Sequence, residues 1–145
     1  MGKVLYTAEA KVAGGRIAGH GRTSDGLLEV DLRVAPELGG DGDGTNPEQL
    51  FAVGYAACFE NALAAVARRQ KLETGEVEID SKVMLVTAEE RAFTIAVDLA
   101  VTLASLEGEA AVDLVKAAHK VCPYSNATRG NIDVTLTANG AAVDV

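Results

Sequence analysis

The feature that most constrains the fold of this chain is an apolar stretch from Leu50 to Ala67. A helix formed by such a stretch is apolar around most of its circumference, so other elements have to cover it. Glu60 and Asn61 interrupt the stretch, which favours a buried helix over a membrane span. The sequence therefore predicts a long central helix inside a folded domain.

Both ends of this helix can be placed from local signals. Asn46 is a good N-cap, Pro47 fits the first turn, and Glu48 suits the positive end of the helix. Basic residues suit the other end, and they follow Ala67 directly. We expect the helix to finish near Gln70.

The segments around the central helix predict strands and a second helix. Apolar and polar side chains alternate in residues 28–34 and 93–103, which is typical of half-buried strands. Asp25-Gly26 is a hairpin signal, and Pro123 requires a preceding helix to end before it. The predicted strands are 3–12, 16–23, 28–34, 76–87, 93–103 and 131–138, and the second helix is 108–121. The order β-β-β-α-β-β-α-β predicts an α+β fold.

Composition limits the classes of function. A length of 145 residues suits a single domain over residues 1–145, with 48% hydrophobic residues. The net charge of −8 and the lack of a basic stripe predict no nucleic-acid partner and no anionic membrane surface. The N-terminal residues lack the apolar core of a signal peptide, so we expect a cytoplasmic protein.

The two cysteines, Cys58 in the central helix and Cys122 before Pro123, are candidates for chemistry. In a reducing compartment they are more often free, catalytic or redox-active than joined in a structural bridge. A free cysteine also packs as a small hydrophobe. Spacing alone leaves reactive and inert thiols as equal alternatives.

A metal site is a further alternative. His119 and Cys122 are three residues apart near a helix end, which is a feasible ligand pair, and Cys58 and His20 are the other possible donors. Nothing in the sequence makes the four converge. His119 can equally be a surface imidazole that is stabilised by the dipole at a helix C-terminus. We predict no bound metal.

Two longer segments carry a family resemblance. "GTNPEQLFAVGYAACF" and "VCPYSNATRGNIDV" resemble the signature blocks of the organic hydroperoxide resistance (Ohr) family, part of the OsmC-like superfamily. "KVLYTAEAKVAGGR" and "SDGLLEVDL" also resemble it, so the similarity covers essentially the whole chain. The resemblance implies an intertwined α+β homodimer without metal or flavin. It also implies a thiol peroxidase for organic hydroperoxides, with a dihydrolipoyl-type dithiol (a lipoylated protein or dihydrolipoamide) as the external reductant.

The resemblance implies roles for four residues. Cys58 matches the peroxidatic cysteine, and Cys122 matches the resolving cysteine. Arg16, in "GGR", matches the arginine that activates the thiolate, and Glu48, in "NPEQLF", matches the glutamate that orients this arginine. Arg22 is a nearby competitor for the arginine role.

Physical chemistry agrees with these roles. The nucleophile must be a thiolate, and an ordinary cysteine, with a pKa of about 8.5, is mostly protonated at neutral pH. Apolar neighbours in the central helix would raise the pKa of Cys58 further. A permanently charged arginine can offset this and stabilise the alkoxide that develops as the O–O bond breaks. Glu48 would hold the guanidinium by a bidentate hydrogen bond.

The implied cycle continues from a sulfenic acid on Cys58 to a disulfide with Cys122, which a dithiol reduces. Phe51, Tyr55 and Phe59 are candidates for an apolar substrate-binding wall, although core packing explains them equally well. The alternative function is a non-enzymatic redox sensor or small-ligand-binding module of the same fold.

The spacing of Glu48 and Cys58 bears on how the site is built. Ten positions of an α-helix rise about 15 Å and rotate the two side chains about 80° apart. An arginine bound to Glu48 could not easily reach Cys58 of the same chain. The alternative is a break in the helix between Gly54 and Cys58, which would permit a site within one chain. In a twofold dimer of antiparallel central helices, we expect Glu48 of one chain to serve Cys58 of the other.

Overall fold

The computed structural model describes residues 2–145, apart from the side chain of Arg91. The chain divides into two compact units, one that ends at Leu50 and one that runs from Phe51 to Val145. Mixed helices and strands confirm the predicted α+β class. The single domain over residues 1–145 stays a prediction.

The first unit contains a three-stranded antiparallel sheet in the order β1-β2-β3. Its strands are β1 (Ala10–Ala13), β2 (Gly19–Thr23) and β3 (Glu29–Arg33). The predicted hairpin joins β2 to β3, because the Asp25 carboxylate accepts hydrogen bonds from the Thr23 hydroxyl and the Leu27 N–H. Gly26 follows with a φ of 75°, a left-handed conformation that glycine adopts without steric cost.

Two parts of this unit differ from the predicted strands. Residues 2–9 form no strand within the described chain, and their apolar side chains are exposed, with Leu5 at 89% and Tyr6 at 80%. Helix α1 (Gly15–Ala18) occupies the start of the predicted strand 16–23. Gly14 and Gly15 both have positive φ angles, and they turn the chain into a single helical turn before β2 begins.

Helix α2 (Pro47–Gln70) is the predicted central helix. The Asn46 side-chain oxygen accepts a hydrogen bond from the Gln49 N–H at 2.9 Å, so Asn46 acts as the predicted N-cap. Arg68 and Arg69 lie in the last turn. The local signals at both ends therefore determine the length of this helix.

The second unit contains a four-stranded sheet in the order β4-β5-β6-β7. Strands β4 (Val77–Thr87) and β5 (Phe93–Leu103) form a long antiparallel pair, and β6 (Val134–Ala138) lies parallel to β5. Helices α3 (Gly108–Val121) and α4 (Pro123–Thr128) lie between β5 and β6 in the chain. The last strand, β7 (Ala141–Val143), was not predicted, and it pairs antiparallel with β6.

The core of the second unit is built around α2. Buried side chains of this helix cluster with those of β5, α3 and β6. By length and composition alone, α2 is the one helix in residues 2–145 that could cross a membrane, a test that core helices also pass. Its buried core residues are Tyr55, Phe59, Ala62, Leu63, Val66 and Ala67.

Candidate active site

The structure brings the two cysteines together although 64 positions separate them in the chain. The Sγ atoms of Cys58 and Cys122 are 3.8 Å apart, and both thiols are free. A disulfide has an S–S distance of about 2.05 Å, so a small approach would allow the bond to form. The arrangement is a pair of neighbouring free thiols within one chain.

Different elements position the two sulfurs. Cys58 lies in the middle of α2 and is half-buried, whereas Cys122 is fully buried. Cys122 is both the C-cap of α3 and the N-cap of α4, in an extended conformation with ψ at 123°. Pro123 favours that conformation in the residue before it, and its own fixed φ suits the first position of a new helix. Reagents from solvent can therefore reach Cys58 more easily than Cys122.

The surroundings of Cys58 disfavour its thiolate in the single chain. Burial raises the pKa of the Cys58 thiol, and the neighbouring Cys122 thiol raises it as well. The backbone N–H of Tyr124, in the first turn of α4, opposes this rise of the pKa by hydrogen bonding to the sulfur. In the described part of the chain, none of the groups that shift this pKa is a cationic side chain.

Three aromatic rings lie together in the second unit, next to the position of Cys58 on α2. The ring centroids of Phe51, Tyr55 and Tyr124 are 5.7 to 5.9 Å apart. Tyr124 lies over Gly54, where an added Cβ would be 3.1 Å from the tyrosine hydroxyl. The glycine therefore permits the ring to lie this close to the helix. Sequence reasoning missed Tyr124, whose signal is its position two residues after Cys122.

The predicted substrate-binding residues have different exposures. Phe51 is half-buried and contacts the ring of Tyr124, which is 38% exposed. Tyr55 and Phe59 have no exposed surface and belong to the core cluster. A substrate-binding role for Phe51, Tyr55 and Phe59 stays a prediction.

The first unit contains the predicted ion pair. Arg16 Nη2 donates a hydrogen bond to Glu48 Oε1 at 2.7 Å, and the two side chains are 40% and 18% exposed. A single hydrogen bond joins them, not the bidentate pair expected from the sequence. Arg22 lies instead against Glu29, with Nε and Oε2 at 3.8 Å. Of these two arginines, Arg16 is the one that Glu48 orients.

The two histidines lie in opposite environments. His20 is exposed, and its pKa is raised because its ring nitrogens bond Asp31 at 2.8 Å and Glu29 at 2.9 Å. His119 is buried, so its interpretation as a surface imidazole is wrong. Its pKa is lowered mainly by burial and to a smaller extent by the positive charge of Arg129. In residues 2–145, no three or more His, Cys, Asp or Glu side chains are grouped to hold a metal ion.

The α+β fold and the neighbouring free thiols of Cys58 and Cys122 place this chain in the class of small dithiol proteins. The chain belongs to the OsmC-like family, since that family's model, described as "OsmC-like protein", matches residues 40–137. It is 54% identical over 137 residues to the organic hydroperoxide resistance protein of Xanthomonas axonopodis pv. citri, a match that covers 93% of this chain and 95% of that protein.

Solved structures agree with the family assignment. The crystal structure of an organic hydroperoxide resistance protein OsmC from Legionella pneumophila matches with a TM-score of 0.88 and 52% identity, over 92% of this chain and 97% of that chain. The organic hydroperoxide resistance protein OhrB of Bacillus subtilis matches with a TM-score of 0.83 and 48% identity, over 92% and 98%. These similarities confirm the resemblance found in the sequence.

Proposed function

We propose that this chain is a cysteine-based peroxidase that reduces organic hydroperoxides to alcohols. The observation that carries the proposal is the 3.8 Å separation of the free thiols of Cys58 and Cys122. Relatives named for organic hydroperoxide resistance supply the substrate class. The half-buried Cys58 is the residue that attacks, and the fully buried Cys122 resolves.

In the first step, the Cys58 thiolate attacks the terminal oxygen of the hydroperoxide. An S–O bond forms while the O–O bond breaks, so Cys58 is oxidised to a sulfenic acid and the peroxide is reduced. The leaving alkoxide takes a proton and departs as the alcohol. The N–H of Tyr124 supports this step, because a hydrogen bond to the sulfur favours its charged form.

In the second step, Cys122 attacks the sulfenic sulfur, and water leaves as the Cys58–Cys122 disulfide forms. The short distance between the sulfurs favours this reaction over further oxidation by a second peroxide. An external dithiol of the dihydrolipoyl type then reduces the disulfide by exchange. A lipoylated protein or dihydrolipoamide would supply it in the cytoplasm, where free thiols are maintained.

Arg16 supplies the positive charge that Cys58 requires. Burial raises the pKa of Cys58, and a fixed guanidinium favours the thiolate and the developing alkoxide. The hydrogen bond to Glu48 holds that guanidinium in place. Because Glu48 and Cys58 are ten positions apart, the Arg16–Glu48 pair of one chain serves Cys58 of the partner subunit.

A homodimer is the assembly that such sharing requires. The first unit exposes a run of apolar side chains, with Val4 at 77%, Leu5 at 89% and Tyr6 at 80%. Exposed apolar runs of this kind are typical of surfaces that a partner covers. A twofold pair of chains would contain two identical shared sites.

A turnover assay with tert-butyl hydroperoxide tests the function. We expect continuous release of tert-butanol with dihydrolipoamide as the reductant, slower release with thioredoxin, and none above background in Cys58→Ser. Release by the unsubstituted protein that does not exceed the Cys58→Ser rate would rule out the enzyme. Stoichiometric oxidation without turnover would instead favour the redox sensor.

A further inference from the structure

A buried hydroxyl cluster joins helix α2 to helix α4. The Tyr55 hydroxyl lies 2.7 Å from the Ser125 hydroxyl and 3.3 Å from the Thr128 hydroxyl. Tyr55 and Ser125 have no exposed surface, and Thr128 is 8% exposed. Water is excluded from this contact, so the bond from Tyr55 to Ser125 cannot be exchanged for one to solvent without opening the core.

The position of helix α4 affects two groups near Cys58, which are the sulfur of Cys122 and the backbone N–H of Tyr124. The helix begins at Pro123, directly after Cys122, so its position, together with that of α3, sets where the Cys122 sulfur lies. The backbone N–H of Tyr124, in its first turn, is a group that lowers the pKa of the Cys58 thiol. A helix of six residues has little stability of its own, and it depends on contacts with its neighbours for a fixed position.

The hydroxyl contact fixes α4 to the part of α2 that carries Cys58. Tyr55 precedes Cys58 by three positions, which places both on one face of the helix. The other end of α4 is attached elsewhere, because the Arg129 guanidinium donates to the His119 carbonyl on α3. The Tyr55–Ser125 bond is therefore a direct polar connection between the helix that carries Cys58 and the helix that begins directly after Cys122.

We propose that Tyr55 and Ser125 are positioning residues that set the rate at which Cys122 closes the disulfide on oxidised Cys58. In that step the Cys122 thiol attacks Cys58–S–OH, an S–S bond forms, and the S–O bond breaks to release water. That a hydroperoxide produces this Cys58–S–OH rests on the proposed function. Closure itself depends on the two thiols and on α4. Neither hydroxyl touches the reacting sulfur atoms in this role.

The test uses 5,5′-dithiobis(2-nitrobenzoate), which oxidises thiols without peroxide. Cys58 displaces one thionitrobenzoate and forms a mixed disulfide. Cys122 then attacks the Cys58 sulfur of that mixed disulfide, closes the Cys58–Cys122 disulfide and displaces the second thionitrobenzoate. Stopped-flow absorbance gives both rates, and their ratio isolates closure from the accessibility of Cys58.

We expect the ratio of the second rate to the first to fall about five-fold in Tyr55→Phe and in Ser125→Ala, as removal of one buried hydrogen bond predicts. The double variant should fall little further, because both changes remove the same bond. Val143→Ala is the matched control, since it truncates a buried side chain of the core cluster on β7. Its melting temperature should drop while its ratio stays at the unsubstituted value.

The proposal would be overturned if Tyr55→Phe and Ser125→Ala both kept the ratio of rates that the unsubstituted protein has. An equal fall in Val143→Ala would also overturn it, because general loss of stability would then explain the effect. So would release of a single thionitrobenzoate from the unsubstituted protein. Since no peroxide is used, an unsubstituted protein that closes rapidly but fails in the turnover assay would refute the proposed function and leave this inference standing.

Discussion

The two units of the chain differ in what they bury. Among the described residues 2–50, Leu32 is the single apolar side chain of the buried core, whereas the residues after Leu50 hold the remainder of that core and both thiols. The second unit contains the Cys58 thiol, whose pKa is raised by burial. The first unit provides a half-exposed cation, Arg16, held by Glu48. The proposed function requires both groups, the thiol of the second unit and the guanidinium of the first.

The largest expected effect is on the thiols themselves. Cys58→Ser should abolish peroxide reduction, because the attacking sulfur is gone. Cys122→Ser should complete one turnover and stop, because the sulfenic acid has no resolving thiol and oxidises further. Alcohol release and intact-mass spectrometry after stoichiometric peroxide distinguish the two. Multiple turnovers with dihydrolipoamide in Cys122→Ser would refute the resolving role.

The next largest effect is expected from removal of the Arg16 cation while the Cys58 thiol is kept. Arg16→Ala should lower the rate of peroxide reduction by about 100-fold, as expected for loss of an oriented charge that stabilises the transition state. It should also raise the pKa of Cys58, measured as the pH dependence of its alkylation rate. Arg22→Ala, which removes a neighbour of Glu29 instead, is the control. If only Arg22→Ala shifts that pKa, the activating role belongs to Arg22.

The contrast in burial predicts a contrast in stability. Leu114→Ala, at a side chain that is 1% exposed in the core, should lower the free energy of unfolding by about 2–5 kcal/mol. Ile17→Ala, at a side chain that is 73% exposed, should change it by less than about 0.5 kcal/mol. Urea denaturation measures both. A large loss in Ile17→Ala that depends on protein concentration would show that a second chain covers this side chain.

The smallest effect concerns the exposed His20 cluster. Asp31 and Glu29 raise the pKa of His20 above its ordinary value of 6.5, so its charged form stabilises the pairing of β2 with β3. This contribution is complete below about pH 6.5 and is lost as pH rises through the higher pKa of the folded state. The difference in melting temperature between the unsubstituted protein and His20→Gln should therefore be larger at pH 5.5 than at pH 9. A difference that grows with pH would contradict this assignment.

Elements with strong local signals could be predicted from the sequence. The capping by Asn46 and the restriction imposed by Pro123 depend on neighbouring residues, so the bounds of α2 and α3 agree with the prediction. Helix α4 was missed because Pro123 was interpreted as an end, although proline also suits the first turn of a helix. Strand β7 had an available signal, since Asn139 and Gly140 both adopt positive φ in a tight turn.

Contacts between segments that are distant in the chain were harder to predict from the sequence. The hydroxyl bond between Tyr55 and Ser125 joins residues 70 positions apart, and no local pattern encodes it. His119 is different, because it lies four positions after the buried Val115, on the apolar face of α3. The general preference of histidine for partial exposure concealed that signal. Cys58 and Cys122 were paired through a family resemblance, not through spacing.

Subunit mixing tests most directly whether the cation of one chain activates the thiol of another. Arg16→Ala protein, which should keep about 1% of the rate, and inactive Cys58→Ser protein are mixed under conditions in which native mass spectrometry verifies heterodimers. In such a heterodimer, one intact Cys58 meets one intact Arg16 only if the site is shared. We expect peroxide reduction to return to about half of the unsubstituted rate per dimer, because one of its two sites is intact. Verified heterodimers that are no more active than the Arg16→Ala parent would show that each chain builds its site alone.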